Sequence, residues 1–264
     1  MTICINDVLN KLTEPVDRLE QTVDGLESGD PSTAVKGIAT TFMATQDVIE
    51  QAIAAGANLI ISHEGTFYSH HNQGEALQHD PVYQQKQKLV DESCIAIYRF
   101  HDYWHRYRPD GIMAGLVEEL GWASCVIEHQ PAASIVTVPA MTVQEIAECA
   151  KRNLDIPYVR VVGDLSLTCT RIGLLAGYRG GGALSIPLLG KENVDLIIAG
   201  EGPEWETPEY VRDAVHQQRR KALIMLGHAQ SEEPGMKYLS KRIEDWFPAI
   251  PVHFISGKHV FRMV

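Results

Sequence analysis

The sequence predicts an α/β fold of two similar units, on three observations. Short β-branched runs alternate with helical stretches along the chain; "NLIISHEG", residues 58–65, is echoed by "DLIIAGEG", residues 195–202; and the pattern restarts after "EHQPAAS", residues 128–134. Strands that alternate with helices imply largely parallel sheets covered by helices. The units are expected at residues 1–130 and 131–264. Ligands of such sheets bind at the carboxyl ends of strands, so a site is expected there, between the units.

An amphipathic helix begins the chain, and "VKGIATTFMA" reads as a strand. Thr45 is placed to cap the helix "QDVIEQAIAAG", which Gly56 closes, and "NLIIS" is the next strand. A helix over "DPVYQQKQKLVDES", a strand over "CIAIYRF" and a helix over "GIMAGLVEELG", stopped at Gly121, complete the first unit. In the second unit "IVTVPA" is a strand, and Thr142 with Glu145 forms a capping box for "TVQEIAECAKRNL". "YVRVV", "RIGLLAG" and "VDLIIAG" read as strands, followed by the helix "TPEYVRDAVHQQRRK" with Pro208 at its first position. "ALIML", the helix "GMKYLSKRIEDWF" and the strand "IPVHFIS" end the pattern.

Composition narrows the functional classes. With 45% hydrophobic and 22% charged residues among 264, the chain has the balance of a folded soluble protein. A net charge of -11 argues against general nucleic-acid binding, and the densest basic run, "HQQRRK", reads as a solvated helix face. No apolar run approaches the roughly 18 to 20 residues of a membrane span, and the first residues lack a signal-peptide pattern, so a cytoplasmic protein is expected. Five scattered cysteines without a C-x-x-C pair suggest buried reduced thiols rather than disulfides or a zinc knuckle.

Chemistry is sought in the polar residues that follow four strands: "HEG" at His63, "HDYWH" at His101, "GEG" at Gly200 and "GHAQSE" at Gly227. His101 and His105 are four residues apart, as are His228 and Glu232, which puts each pair on one face of a helical turn. Imidazole and carboxylate suit zinc, manganese, iron or nickel. A bridging carboxylate, for which Glu232 is placed, would hold two metals about 3.5 to 4 Å apart and generate a hydroxide nucleophile. The other reading of these residues is ordinary polar strand ends. "HEGTFYSH" lacks the H-E-x-x-H spacing, "GALSIPLLGKE" lacks the Walker A spacing, and no G-x-S-x-G elbow occurs. "GYRGGG" reads as a tight turn, with a backbone phosphate loop as the less favoured reading, and "SHHNQ", residues 69–73, as a wet loop, with a flexible rim near the metals as the less favoured reading.

Together these segments resemble the Nif-three-like dinuclear metal-centre proteins, some of which carry the name GTP cyclohydrolase I type 2. "DVIEQAIAAGANLIISHEGTFY" is similar to the family's His-His segment, "IYRFHDYWH" to its His-Thr-x-x-Asp strand end, and "RIGLLAGYRGGG" to its Gly-Gly turn. "DLIIAGE" is similar to its Thr-Gly-Glu strand and "GHAQSE" to its Gly-His-x-x-x-Glu ending.

The resemblance implies that His63, Glu64, His105, His228 and Glu232 ligate two divalent metal ions, with Glu232 bridging. Here Glu64 replaces the family's second histidine and His105 its aspartate, an exchange that keeps the numbers of His and carboxylate ligands. His101 and Asp102 become candidates for orienting a ligand or relaying a proton, and Glu201 for lining the pocket. The resemblance also implies a homohexamer. The expected activity is metal-dependent hydrolysis of a nucleotide-like or phosphorylated small molecule; the alternative is metal binding without turnover, for supply, sensing or regulation.

Overall fold

A computed structural model describes residues 2–71 and 77–264. The chain divides into two compact units, Met1–Arg108 with Met236–Val264, and Pro109–Gly235.

The first unit is built on a five-stranded sheet in the order β1-β4-β3-β2-β11. Its strands are β1 (Gly25–Ser28), β2 (Ile38–Met43), β3 (Leu59–Glu64), β4 (Ala96–Arg99) and β11 (Val252–Phe254). The β2, β3, β4 and β11 pairings are parallel, and β1 runs antiparallel along β4. All four residues of β4 and the first five of β3 are buried, as a parallel strand covered on both faces requires. Helix α1 (Ile5–Thr13) precedes the sheet, α2 (Gln46–Ala54) links β2 to β3, and α3 (Pro81–Ser93) links β3 to β4. The Thr45 side chain accepts the Val48 N–H to start α2, and Gly56 takes a φ of 80° after it. Val48, Ile49 and Ala52 of α2 pack with Ile60 and Ile97 in this unit's core.

The second unit holds a six-stranded sheet in the order β5-β6-β8-β9-β10-β7. The strands are β5 (Val126–His129), β6 (Ser134–Thr142), β7 (Arg160–Val162), β8 (Thr168–Leu175), β9 (Leu196–Ala199) and β10 (Ala222–Met225). Its helices are α5 (Gly111–Glu119), α6 (Val143–Asn153) with the expected Thr142/Glu145 capping box, α7 (Gly182–Gly190) and α8 (Thr207–His216). Only the β8-β9-β10 core is parallel, while β5 with β6, β6 with β8 and β7 with β10 are antiparallel. The expectation of largely parallel sheets therefore gives way to two mixed sheets. The reason lies partly in connection length: residues 130–133 are too few for the crossover a parallel neighbour needs, so β5 and β6 close as a hairpin.

That hairpin occupies the segment where the sequence pattern restarts. The units instead exchange at Arg108/Pro109 and Gly235/Met236, because the terminal strand β11 pairs with β2 in the first sheet. The echo is nevertheless structural: β2-α2-β3-α3-β4-α4 in the first unit has the order of β8-α7-β9-α8-β10-α9 in the second, with α4 covering Asp102–Arg106 and α9 His228–Trp246. The strands of "NLIISHEG" and "DLIIAGEG" hold the same middle place in each parallel triplet.

All five cysteines are free; Cys169 alone is buried and Cys94 is exposed, so burial of the thiols as a class does not hold. No described helix is long and apolar enough to cross a membrane.

Candidate metal centre

In the first unit, parallel register brings the ends of β3 and β4 side by side. Ser62 pairs with Arg99, and the Phe100 N–H donates to the Ser62 carbonyl at 2.8 Å, so His63 and His101 leave the sheet next to each other. Their rings stack with centroids 4.5 Å apart. His105, one turn along α4, places its ring 5.0 Å from His63 and 4.9 Å from His101. One ligand atom from each of these three imidazoles lies within 4.8 Å of the others, and His63 is wholly buried.

The start of α4 is fixed from below by Asp24. Its carboxylate accepts N–H bonds from His101 at 2.9 Å, Asp102 at 2.8 Å and Tyr103 at 2.9 Å, the donors a helix start leaves open. Burial raises Asp24 above the ordinary aspartate value, against the lowering effect of those N–H groups. Asp102 sits 2.9 Å from His101 Nδ1 and accepts the Val23 N–H at 3.0 Å. Burial alone would raise the Asp102 carboxyl, but hydrogen bonds from Val23, His101 and Thr22 outweigh it and hold the group below its usual range.

Glu64 stands at the end of β3 with its Oε2 2.8 Å from Nη2 of Arg99, a fully buried arginine. Arg99 also donates to the His70 carbonyl at 2.6 Å, and its Nη2 lies 3.0 Å from His70 Nδ1. Ligand atoms of Glu64, His70 and His101 form a second cluster. Of the "SHHNQ" loop, Asn72 and Gln73 lie outside the described residues.

In the second unit the same logic of register applies. The Leu226 N–H donates to Ala199 and the Gly227 N–H to Gly200, so His228 emerges beside Glu201. His228 Nδ1 is 3.0 Å from Glu201 Oε2, and His228 Nε2 is 3.1 Å from Glu232 Oε2. The i, i+4 spacing of His228 and Glu232 on α9 thus brings their side chains together, as the sequence implied. Glu201 and Glu232 thus bracket the His228 imidazole from opposite sides.

The "GYRGGG" turn is a turn with a task. Gly177 takes a φ of 62°, and a Cβ there would stand 2.0 Å from Glu232 Oε1. Its N–H donates to Ser231 Oγ at 2.9 Å, and that hydroxyl donates to the His228 carbonyl at 2.7 Å. The N–H of Gly182, at the start of α7, donates to the Glu206 carboxylate at 2.6 Å, so a side chain fills the place a phosphate would take. Arg179 is tied to buried Asp110 at 2.9 Å.

The donor set fits divalent metals. Imidazole and carboxylate atoms cluster at strand ends, one histidine is fully buried, and His101 and His228 each have a carboxylate on Nδ1, the arrangement that orients metal-binding histidines.

The family profile described as Duf34/NIF3 (NGG1p interacting factor 3) matches residues 4–259. The chain belongs to the Duf34/NIF3 family. A relative from Clostridium perfringens named "GTP cyclohydrolase 1 type 2 homolog" is 26% identical over 266 residues, covering 96% of each chain. Among solved structures, Staphylococcus aureus hypothetical protein SA1388 superposes with a TM-score of 0.78 at 20% identity, covering 100% of both chains. A Bacillus cereus protein related to NIF3 gives a TM-score of 0.78 at 14% identity, covering 100% of this chain and 99% of that one. At such identities these two structures share the fold with this member of the family.

The sequence did not single out Asp24 or Arg99, and it offered His70 only within the "SHHNQ" loop. Arg99 left a trace, since a charged residue within the apolar run "CIAIYRF" requires a buried partner. Asp24, before an edge strand, left none.

Proposed function

We propose that this NIF3-family chain is a metal-dependent hydrolase of a nucleotide-like or other phosphorylated small molecule. The observation that supports this most is the cluster of His63, His101 and His105, three imidazoles with ligand atoms within 4.8 Å of one another at the ends of adjacent strands. Two bound divalent ions would activate water and offset negative charge on the substrate. His63, His105, His228 and Glu232 are among the ligands. Asp102 and Glu201 hold a proton on Nδ1 of His101 and His228, leaving each Nε2 as the basic atom.

The name borne by the relatives makes GTP the first nucleotide to try. Elemental analysis of untagged protein tests the site: at least one metal per chain is expected, lost in His228→Ala. Fewer than one, unchanged by that substitution, overturns the reading. A hydrolysis screen with metal-loaded protein, controlled by Glu232→Gln, then tests turnover, and activity that survives the control belongs to a contaminant.

A second reading, metal binding without turnover, draws on the burial of His63 and Glu232. A store or sensor can be saturated by protein ligands, whereas an enzyme needs an exchangeable water. Metal retained through the screen with no hydrolysis of any substrate favours it.

A further inference from the structure

We infer that Arg99 withdraws Glu64 from the metal ligands and that His101 takes its place, so that a metal in the first unit is held by His63, His101 and His105. This rests on the metal-binding reading and changes who the ligands are.

The argument begins with charge. Arg99 is fully buried at the end of β4, and its guanidinium lies 2.8 Å from Glu64 Oε2. A buried arginine cannot shed its proton, so its carboxylate partner cannot be spared without stranding a charge in the interior. The guanidinium neutralises Glu64 and would stand as a like charge close to any cation on that carboxylate. Arg99 also engages His70 at two points, its carbonyl at 2.6 Å and Nδ1 at 3.0 Å, which fixes the fork in place.

His101 meets the opposite conditions. Its Nδ1 is 2.9 Å from Asp102, while Asp24 binds the N–H groups of residues 101–103 and fixes the backbone under the ring. An imidazole whose Nδ1 proton is held by a carboxylate presents a more basic Nε2, which suits a ligand better than a relay. Its ring lies 4.5 Å from that of His63 and 4.9 Å from that of His105, and one ligand atom of each imidazole lies within 4.8 Å of the others. Glu64 Oε1 is 4.0 Å from His101 Nε2, which leaves the Arg99–Glu64 pair at the edge of the cluster as a positioning group.

The test uses the full chain, Zn²⁺ affinity by chelator competition, and the visible absorption of the Co²⁺-loaded protein. His101→Gln is expected to lower Zn²⁺ affinity at least tenfold and to shift the Co²⁺ bands. Glu64→Gln is expected to change affinity less than threefold and leave the bands in place. If Glu64→Gln does not fold, the double variant Glu64→Gln/Arg99→Gln, an amide pair without charge, carries the same expectation. A tenfold loss on neutralising Glu64, or unchanged binding in His101→Gln, overturns the inference while the metal reading stands. A wild-type chain that binds neither Zn²⁺ nor Co²⁺ overturns both.

Discussion

Glu201 Oε2 lies 3.0 Å from Nδ1 of His228, on the opposite side of the ring from Glu232. Such an outer carboxylate fixes the tautomer and raises the basicity of a metal-binding imidazole, and its loss typically lowers affinity about 10- to 100-fold. Glu201→Gln is therefore expected to weaken divalent metal binding within that range. Because the side chain is partly exposed, thermal stability of the metal-free protein should hardly move. Chelator competition and a melting curve, run on the same preparation, separate the two effects; unchanged affinity would count against Glu201 as the orienting group.

Gly177 makes a more local demand. Its φ of 62° belongs to the left-handed region, which costs an alanine roughly 1–2 kcal/mol, and a methyl group would press on the Glu232 carboxylate. Gly177→Ala should lower the melting temperature and reduce metal content together, since the carboxylate must move to admit the methyl. Gly25→Ala is the control: its Cβ would meet nothing within 4 Å, and a change below about 0.5 kcal/mol is expected. Normal metal content in Gly177→Ala would show that Glu232 has freedom the structure does not suggest.

Much of this arrangement could be read in advance, for identifiable reasons. Strand ends with His63, His101, Gly200 and Gly227 were legible because apolar runs stop abruptly there, and the i, i+4 pairs because helical spacing is a local property. The antiparallel flanks of the second sheet were less legible, since β7 pairs with β10 across about 60 intervening residues and no local pattern records that choice. The return of β11 to the first sheet escaped for the same reason. Glu64 is expected as a ligand because the family resemblance puts a metal-binding histidine at its position. The register of β3 against β4 adds what no local pattern records, the ion pair of Glu64 with Arg99.

Asp24 offers a prediction of stability. One carboxylate serves three N–H groups at the start of a five-residue helix that carries His105, and losing it leaves three donors short of a partner. Removing a helix cap costs about 0.5–2 kcal/mol, and the partial burial here favours the upper end. Urea denaturation of Asp24→Ala should show a loss near that end with an unchanged slope. Asp24→Asn keeps an acceptor oxygen and should recover part of the loss; equal losses in both variants would mean that charge, rather than hydrogen bonding, holds α4.

Lys86 gives the clearest dependence on pH. It is fully buried on α3, its Nζ donates to the Thr66 carbonyl, and it lies over the rings of Phe67 and Tyr68. Burial pulls its pKa from 10.5 down to about 8, with Glu27 acting weakly the other way. Below pH 8 both folded and unfolded chains carry the proton, and the folded state bears the full penalty of a buried charge. Between about 8 and 10.5 the folded chain has released its proton while the unfolded chain still holds it, so this group's contribution to stability rises with pH across that window. The span corresponds to ~3 kcal/mol at 1.36 kcal/mol per pH unit. Lys86→Met removes the titration, and other alkaline groups act alike in both proteins. Wild-type stability minus that of Lys86→Met, from urea midpoints at pH 7.5, 9 and 10, should therefore increase with pH. A flat or falling difference would mean that Lys86 stays charged in the folded chain through its contacts with Thr66 and the two rings.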